Sequence, residues 1–158
     1  MFEFKSLIKE ELILRLQKEL RDIEEAAKSS RDYAITDEVK SEGKYDTRAI
    51  EASYLASAQL ARVEELKLDL QMLEELELQT SNHVELGAIV VVELNQKKQS
   101  FFISPNLGGE IVTIKNNPFL IISVFSPIGS EALNLTVDDH FEVETPKENR
   151  SYKILEIY

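Results

Sequence analysis

Cysteine is absent from the 158 residues, and proline and glycine are scarce, at four and five. Without cysteine there can be no disulfides, no zinc–thiolate centre and no thiol nucleophile. No apolar run approaches the ~20 residues that a membrane-spanning helix needs. The start, MFEFKSLIKEELILRLQKEL, mixes acids with apolar residues. A secretory signal would show a basic end, an apolar block and a small-residue cleavage site. These absences predict a cytoplasmic protein with no membrane partner. Positive charge is also in deficit, with 18 Lys+Arg against 29 Asp+Glu and a net charge of −11. Residues 1–80 carry 12 against 19 and residues 81–158 carry 6 against 10, so neither half offers phosphates a basic patch. Autonomous binding to duplex nucleic acid is disfavoured accordingly.

Signatures of catalysis are missing as well. The stretch NLGGE is a turn with two glycines, not a phosphate loop, and SPIGS lacks the G-x-S-x-G of a nucleophile elbow. His83 and His140 lie far apart and form no H-x-x-x-H pair. No enzyme active site is expected within the chain.

What is present divides into two halves of different period. A 43% hydrophobic content supports a packed core. Ile13, Leu16, Leu20, Ile23 and Ala27 follow 3-4 spacing, as do Ala49, Ala52, Ala56, Gln59, Val63, Leu66, Leu70 and Leu73. Each series lines one stripe of a helix, in the pattern of a two-helix seam. Proline is absent from both segments, and the only glycine nearby is Gly43, where a permissive backbone suits a reversal. Residues 1–80 therefore predict an antiparallel helical hairpin with its tip at about 37–50. A second helix from about Arg48 to Gln79 would extend roughly 48 Å.

After residue 80 the period shortens. GAIVVVEL, QSFFIS, GEIVTI, FLIISV, HFEVET and SYKILEI are short, rich in β-branched and aromatic residues, and separated by NQKK, NLGG, KNNP and TPKEN. Between the fourth and fifth, SPIGSEALNLTVDD has room for one short helix. Ser126 reads as its cap and Pro127 as its first residue. Residues 81–158 predict a small, mostly antiparallel β domain, making the chain α+β.

The tip carries the unusual chemistry. Glu42 and Asp46 straddle Gly43, Lys44 and Tyr45, with Asp37, Glu38 and Glu51 on the flanks. Carboxylates are hard oxygen ligands suited to Mg²⁺, which keeps most of its waters and takes one or two such groups. The same acids also favour helix ends and keep a turn solvated; Asp46 suits the cap of the second helix.

The arrangement resembles the Gre transcript-cleavage factors of bacterial RNA polymerase. Residues 126–157, SPIGSEALNLTVDDHFEVETPKENRSYKILEI, are similar to the family's S-P-[LI]-G-x-A-L-x-G-x-x-x-G-D and the V-x-T-P close that follows it. The resemblance implies an FKBP-like β domain that docks beside the polymerase's secondary channel. It implies a helical tip that reaches the polymerase active site, where tip acids share a Mg²⁺ with the enzyme and promote cleavage of backtracked RNA. Asp46 and Glu42 are then the candidate Mg²⁺-directed acids, Lys44 and Arg48 the nucleic-acid-facing residues, and Phe125, Ser126, Pro127 and Ile128 the polymerase-binding edge. The factor would bind no metal alone, would meet nucleic acid only within the elongation complex, and would act as a monomer. The tip departs from the family's G-D-L-x-E-N-x-E-Y: Lys44 and Thr47 stand at its two acidic positions. Leu135 or a neighbour, and Asp138, replace two glycines near the C-terminal helix.

Three alternatives follow from the same residues. Occupation of the channel without cleavage is one. An FKBP-like isomerase or chaperone is another, its pocket lined by Phe101, Phe102, Phe119, Phe125 and Phe141. A homo-oligomeric coiled-coil scaffold is the third.

Overall fold

The structure is a computed structural model that describes residues 1–40 and 47–158, except for the side chains of residues 30, 33–40, 47 and 49. Two helices come first, α1 (Phe2–Lys40) and α2 (Thr47–Glu74). Six strands follow: β1 (Ile89–Leu94), β2 (Lys97–Ser104), β3 (Ile111–Ile114), β4 (Asn117–Ser123), β5 (His140–Glu144) and β6 (Asn149–Ile157), with the short helix α3 (Pro127–Ala132) between β4 and β5. Contacts divide the chain into two compact units: Leu14–Gln71 is one, and Met1–Ile13 together with Met72–Tyr158 is the other.

In the helical unit, Leu16 and Ala27 on α1 and Ala56, Val63 and Leu66 on α2 are buried. Leu20, Ile23, Ala52, Gln59 and Leu70 are half-buried. Ion pairs between the helices join Glu19 to Arg62 at 2.9 Å and Glu24 to Lys67 at 3.9 Å. The predicted α1 stripe shifts at its start: Ile13 is half-buried, and Ile8 and Leu12 carry the burial there. Helical spacing permits either phase over two turns, and packing selects the second.

α2 ends at Glu74, five residues before the predicted Gln79. Two lysines of α1 account for this end. Lys9 Nζ donates to the carbonyls of Glu74 (2.9 Å) and Leu76 (2.8 Å), and Lys5 Nζ to that of Gln79 (2.5 Å). Ammonium groups thus satisfy carbonyls at and beyond the helix end, where the dipole favours a cation. The partners fall from Gln79 to Glu74 as the donors rise from Lys5 to Lys9, so the bases of the two helices run antiparallel. Lys5 is 1% exposed. Burial pulls its pKa below the ordinary lysine value, and Glu85 opposes that shift.

The sheet runs in the order β3-β4-β2-β1-β6-β5. Two hairpin turns have both central residues at positive φ: Asn95 (51°) with Gln96 (63°), and Lys115 (49°) with Asn116 (65°). Such turns match the right-handed twist of the strands they join. The sheet is mostly antiparallel, as expected, with one parallel pair, β2 with β4. β3 crosses to the outer edge and turns back as β4, which then lies beside β2. Alternation in the sequence fixes which face a side chain occupies, not which strand becomes its neighbour.

One sheet face carries the core of Val90, Val92, Phe101, Ile103, Phe141, Tyr152 and Ile154, capped by Ala132 of α3. Phe141 stacks on Tyr152 with centroids 5.0 Å apart, and Phe101 meets the same ring edge-on at 6.0 Å. On the opposite face Ile89, Phe102 and Ile121 form a register row, fully buried. Phe119 shares that face and packs at 5.8 Å against Phe4 of α1. The first turns of α1 are therefore part of the sheet unit.

Candidate functional site

Glu42, Lys44 and Asp46 lie outside the described residues. Arg48 is exposed in the first turn of α2. The predicted site that the structure describes in full is the corner between β4 and α3.

Its rigidity begins with Ser126. The Ser126 Oγ accepts from the Gly129 backbone N–H (3.1 Å) and donates to the Ser123 carbonyl (2.7 Å), so one hydroxyl caps α3 and ties it to the end of β4. Pro127 occupies the first helical turn, where its missing N–H is no loss. The Ser123 Oγ accepts from the Phe125 N–H at 3.2 Å. Gly129 packs against the same strand end: a Cβ there would stand 2.0 Å from the Ser123 carbonyl oxygen. A turn held at this many points leaves one large apolar side chain outside. Phe125 is 80% exposed.

The four predicted docking residues thus differ in their surroundings. Phe125 and Pro127 face solvent, Ser126 spends its hydroxyl inside the turn, and half-buried Ile128 packs against the core. Beyond α3 the chain turns twice through left-handed backbone, at Asn134 (φ 64°) and Asp138 (φ 70°). Asn134, not Leu135, therefore takes the first of the two turn positions, and both carry residue types that tolerate this conformation. The Asp139 carboxylate accepts from the N–H (2.7 Å) and hydroxyl (3.0 Å) of Thr136. These bonds hold its pKa below the usual aspartate value.

The five phenylalanines do not form one pocket. Phe101, Phe102, Phe119 and Phe141 are buried, on two different faces of the sheet, while Phe125 is outside. Two apolar grooves flank the corner, and no phenylalanine lines either. One, of about 670 Å³, is lined by residues including Met72, Leu76, Val124 and Leu133. The other, of about 650 Å³, includes Pro127, Ile128, Val143 and Pro146. Neither groove was legible in the sequence, because each is assembled from segments far apart in the chain. His83 bonds to Ser81 (2.8 Å) and Asn82 (3.2 Å) beside Glu85, and His140 begins β5. Among the described residues no three metal-ligating side chains cluster, and no helix is long and apolar enough to cross a membrane.

Comparison with known proteins reaches the same region. Residues 79–158 match the family described as transcription elongation factor, GreA/GreB, C-terminal. The transcription elongation factor GreA of Neorickettsia sennetsu is 28% identical over 148 residues, covering 89% of this chain and 88% of that protein. Among solved structures, the GreA factor homolog 1 (Gfh1) of Thermus thermophilus is 22% identical with a TM-score of 0.38, over 92% of this chain and 94% of that one. Gfh1 of Thermus aquaticus is also 22% identical, with a TM-score of 0.39, over 91% and 92%. The match spans β1 to β6 and contains the locked corner with its exposed phenylalanine, and the chain belongs to the GreA/GreB family of transcription elongation factors.

Proposed function

We propose that this chain binds RNA polymerase through the corner around Phe125 and acts at the polymerase's active site through residues 37–50. The observation that carries the docking half is an 80% exposed phenylalanine on a turn whose other groups are satisfied internally. An apolar anchor held in one conformation loses little entropy when it is buried by a partner. Pro127 adds a second rigid apolar contact.

The active-site half rests on sequence. Asp46, with Glu42, would offer carboxylate oxygens to a Mg²⁺ that the polymerase itself holds. Such a metal lowers the pKa of a bound water and neutralises charge on the phosphate being cut. Lys44 and Arg48 would face RNA phosphates, which a carboxylate cannot approach favourably. Cleavage of backtracked RNA is the activity this arrangement fits. A second reading, occupation of the channel without cleavage, is favoured by Lys44 and Thr47 at the family's acidic positions.

The test is a stalled, backtracked elongation complex incubated with the purified protein. Shortened RNA that disappears with Asp46→Asn supports cleavage. Unshortened RNA, with binding that Phe125→Ala weakens, supports the non-cleaving reading. Absence of binding to polymerase would sink both.

A further inference from the structure

Residues 52–61 of α2, ASYLASAQLA, carry no charge, although 30% of the protein's residues are charged. This is the longest uncharged run in either helix. The seam with α1 explains little of it. Ala56 is buried, Ala52 and Gln59 are half-buried, and the other seven residues are exposed. Ile50, Tyr54, Ser57 and Ala61 recur at 4-3-4 spacing and form one stripe. Each stands two residues before a seam position (52, 56, 59 and 63), a rotation of about 200°, so the stripe runs along the back of α2. Tyr54 is 73% exposed there, and Ile50 is exposed beside it. The Ser57 hydroxyl donates to the Ser53 carbonyl at 3.0 Å, which turns its polar group back onto the helix. The exposed side of α1 is different, with Lys18, Arg21, Asp22, Glu25 and Lys28. An apolar face on one helix of a hairpin whose other helix is charged outside marks a contact surface.

We infer that this stripe is the contact face for a second copy of the chain, the two α2 helices lying antiparallel about a two-fold axis near Ser57. The stripe is bulky at one end, with Ile50 and Tyr54, and small at the other, with Ser57 and Ala61. Antiparallel pairing lays the large side chains of each copy on the small ones of the other, as interdigitating helices require. Parallel pairing would set Tyr54 against Tyr54 and leave the small residues facing across a gap. Two chains of net charge −11 repel each other, and the uncharged stripe is where the helices can meet without opposing like charges. Arg62, at the end of the run, already bonds Glu19 and Glu65. Shape and neutrality therefore hold the pair together, and added salt should strengthen it by screening the repulsion. Nucleic acid is the wrong occupant, since the stripe offers phosphates no cation. Ile50 belongs both to the stripe and to the segment 37–50, so pairing competes with action at the polymerase. That consequence rests on the proposed function; the pairing does not.

The test is sedimentation of the full chain over a concentration series from about 1 to 100 μM, at low and high salt. A monomer–dimer equilibrium that tightens with salt is expected. Tyr54→Glu and Ala61→Glu are each expected to raise the dissociation constant by about tenfold or more, because each change enters the contact twice. Lys18→Glu, on the exposed side of α1, should leave it unchanged. Tyr54→Ala adds no charge and gives a smaller loss, should the acidic variants lose helicity by circular dichroism. The chain has no cysteine, so introduced thiols report alone. Ser57→Cys should oxidise to a linked dimer. In a mixture, Ser53→Cys and Leu60→Cys should link to each other in preference to themselves.

A chain that stays monomeric throughout overturns the inference, as does a dimer indifferent to Tyr54→Glu and Ala61→Glu. Preferential linkage of each thiol to its own kind overturns the antiparallel arrangement. A monomer whose binding to polymerase falls with Tyr54→Glu overturns the second copy in favour of polymerase as the occupant. Dimerisation without any polymerase binding upholds the pairing and sinks the proposed function instead.

Discussion

The helical unit and the sheet unit bury their side chains by different rules. In Leu14–Gln71 a residue's fate follows from its position in a 3-4 repeat, and neighbours in space are close to predictable from neighbours in sequence. In the sheet unit burial depends on strand order, and the decisive contacts join Phe4 to Phe119, Lys5 to Gln79 and Ile154 to Asp139. A repeat tolerates local variation because each turn repeats the same packing problem. A sheet corner such as residues 123–129 has one solution, fixed by several bonds at once. That contrast predicts graded losses in the first unit and all-or-none losses in the second.

The largest effect is expected from Leu66→Ala. Leu66 is 0% exposed in the seam, whereas Leu70, four residues on, is only half-buried. Truncating a fully buried leucine costs about 2–5 kcal/mol. Leu70→Ala should lie at or below the low end of that range. Thermal or urea unfolding of the two variants measures the gradient. Equal losses would mean that the seam is not graded as its exposure indicates.

Gly129→Ala comes next and probes the other rule. Its Cβ would meet a backbone carbonyl at 2.0 Å, so strand end and helix must separate. Overpacking of this kind costs about 1–3 kcal/mol and occasionally more. Polymerase binding should fall together with stability, because the turn that presents Phe125 is the part displaced. Phe125→Ala, in contrast, should leave the melting temperature nearly unchanged, since the ring touches mainly solvent. A Gly129→Ala protein with wild-type stability would show that the corner has slack.

These two positions also mark what the sequence could reveal. The 3-4 stripes, six strands, capping Ser126 and Pro127 at the helix start were all legible, because each rests on local chemistry. The start of α1 was not. Lys5 looks like a solvated charge, yet it lies buried because the carbonyl of Gln79 waits for it 74 positions later. The parallel pairing of β2 with β4 was hidden for a similar reason, since strand pattern carries no partner. The aromatic pocket failed because phenylalanines at 101 and 102 must point to opposite faces of one strand. The first turn position was legible only as Leu135 or a neighbour, and backbone geometry picks out Asn134. Of the candidate site, the turn at the start of α3 was readable from its capping chemistry, while the two grooves beside it needed the fold.

A smaller change of opposite sign is expected from Gln59→Leu. Gln59 occupies a seam position between Ala56 and Val63, and its Oε1 is buried without a partner among the described residues. Leaving a buried polar group unsatisfied costs about 1–3 kcal/mol, so an apolar replacement should stabilise the helical unit by about 1 kcal/mol. If the melting temperature falls instead, the amide has a role in setting register, as polar seam residues do elsewhere.

The smallest effect is a pH dependence in the sheet unit. Thr136 donates two hydrogen bonds to the Asp139 carboxylate, first from its backbone and then from its hydroxyl, and both lower the carboxyl's pKa. A group whose folded pKa is depressed binds fewer protons when folded than when unfolded. It contributes stability above the unfolded value, ~3.9 for aspartate, and that contribution disappears as pH falls through the lower folded value. Asp139→Asn keeps an acceptor for Thr136 but removes the charge. The difference in melting temperature between wild type and variant should therefore be greatest near neutral pH and shrink as pH drops below about 4. A constant difference across that range would mean that the bonds to Thr136 serve the loop's shape, and that the charge itself adds nothing.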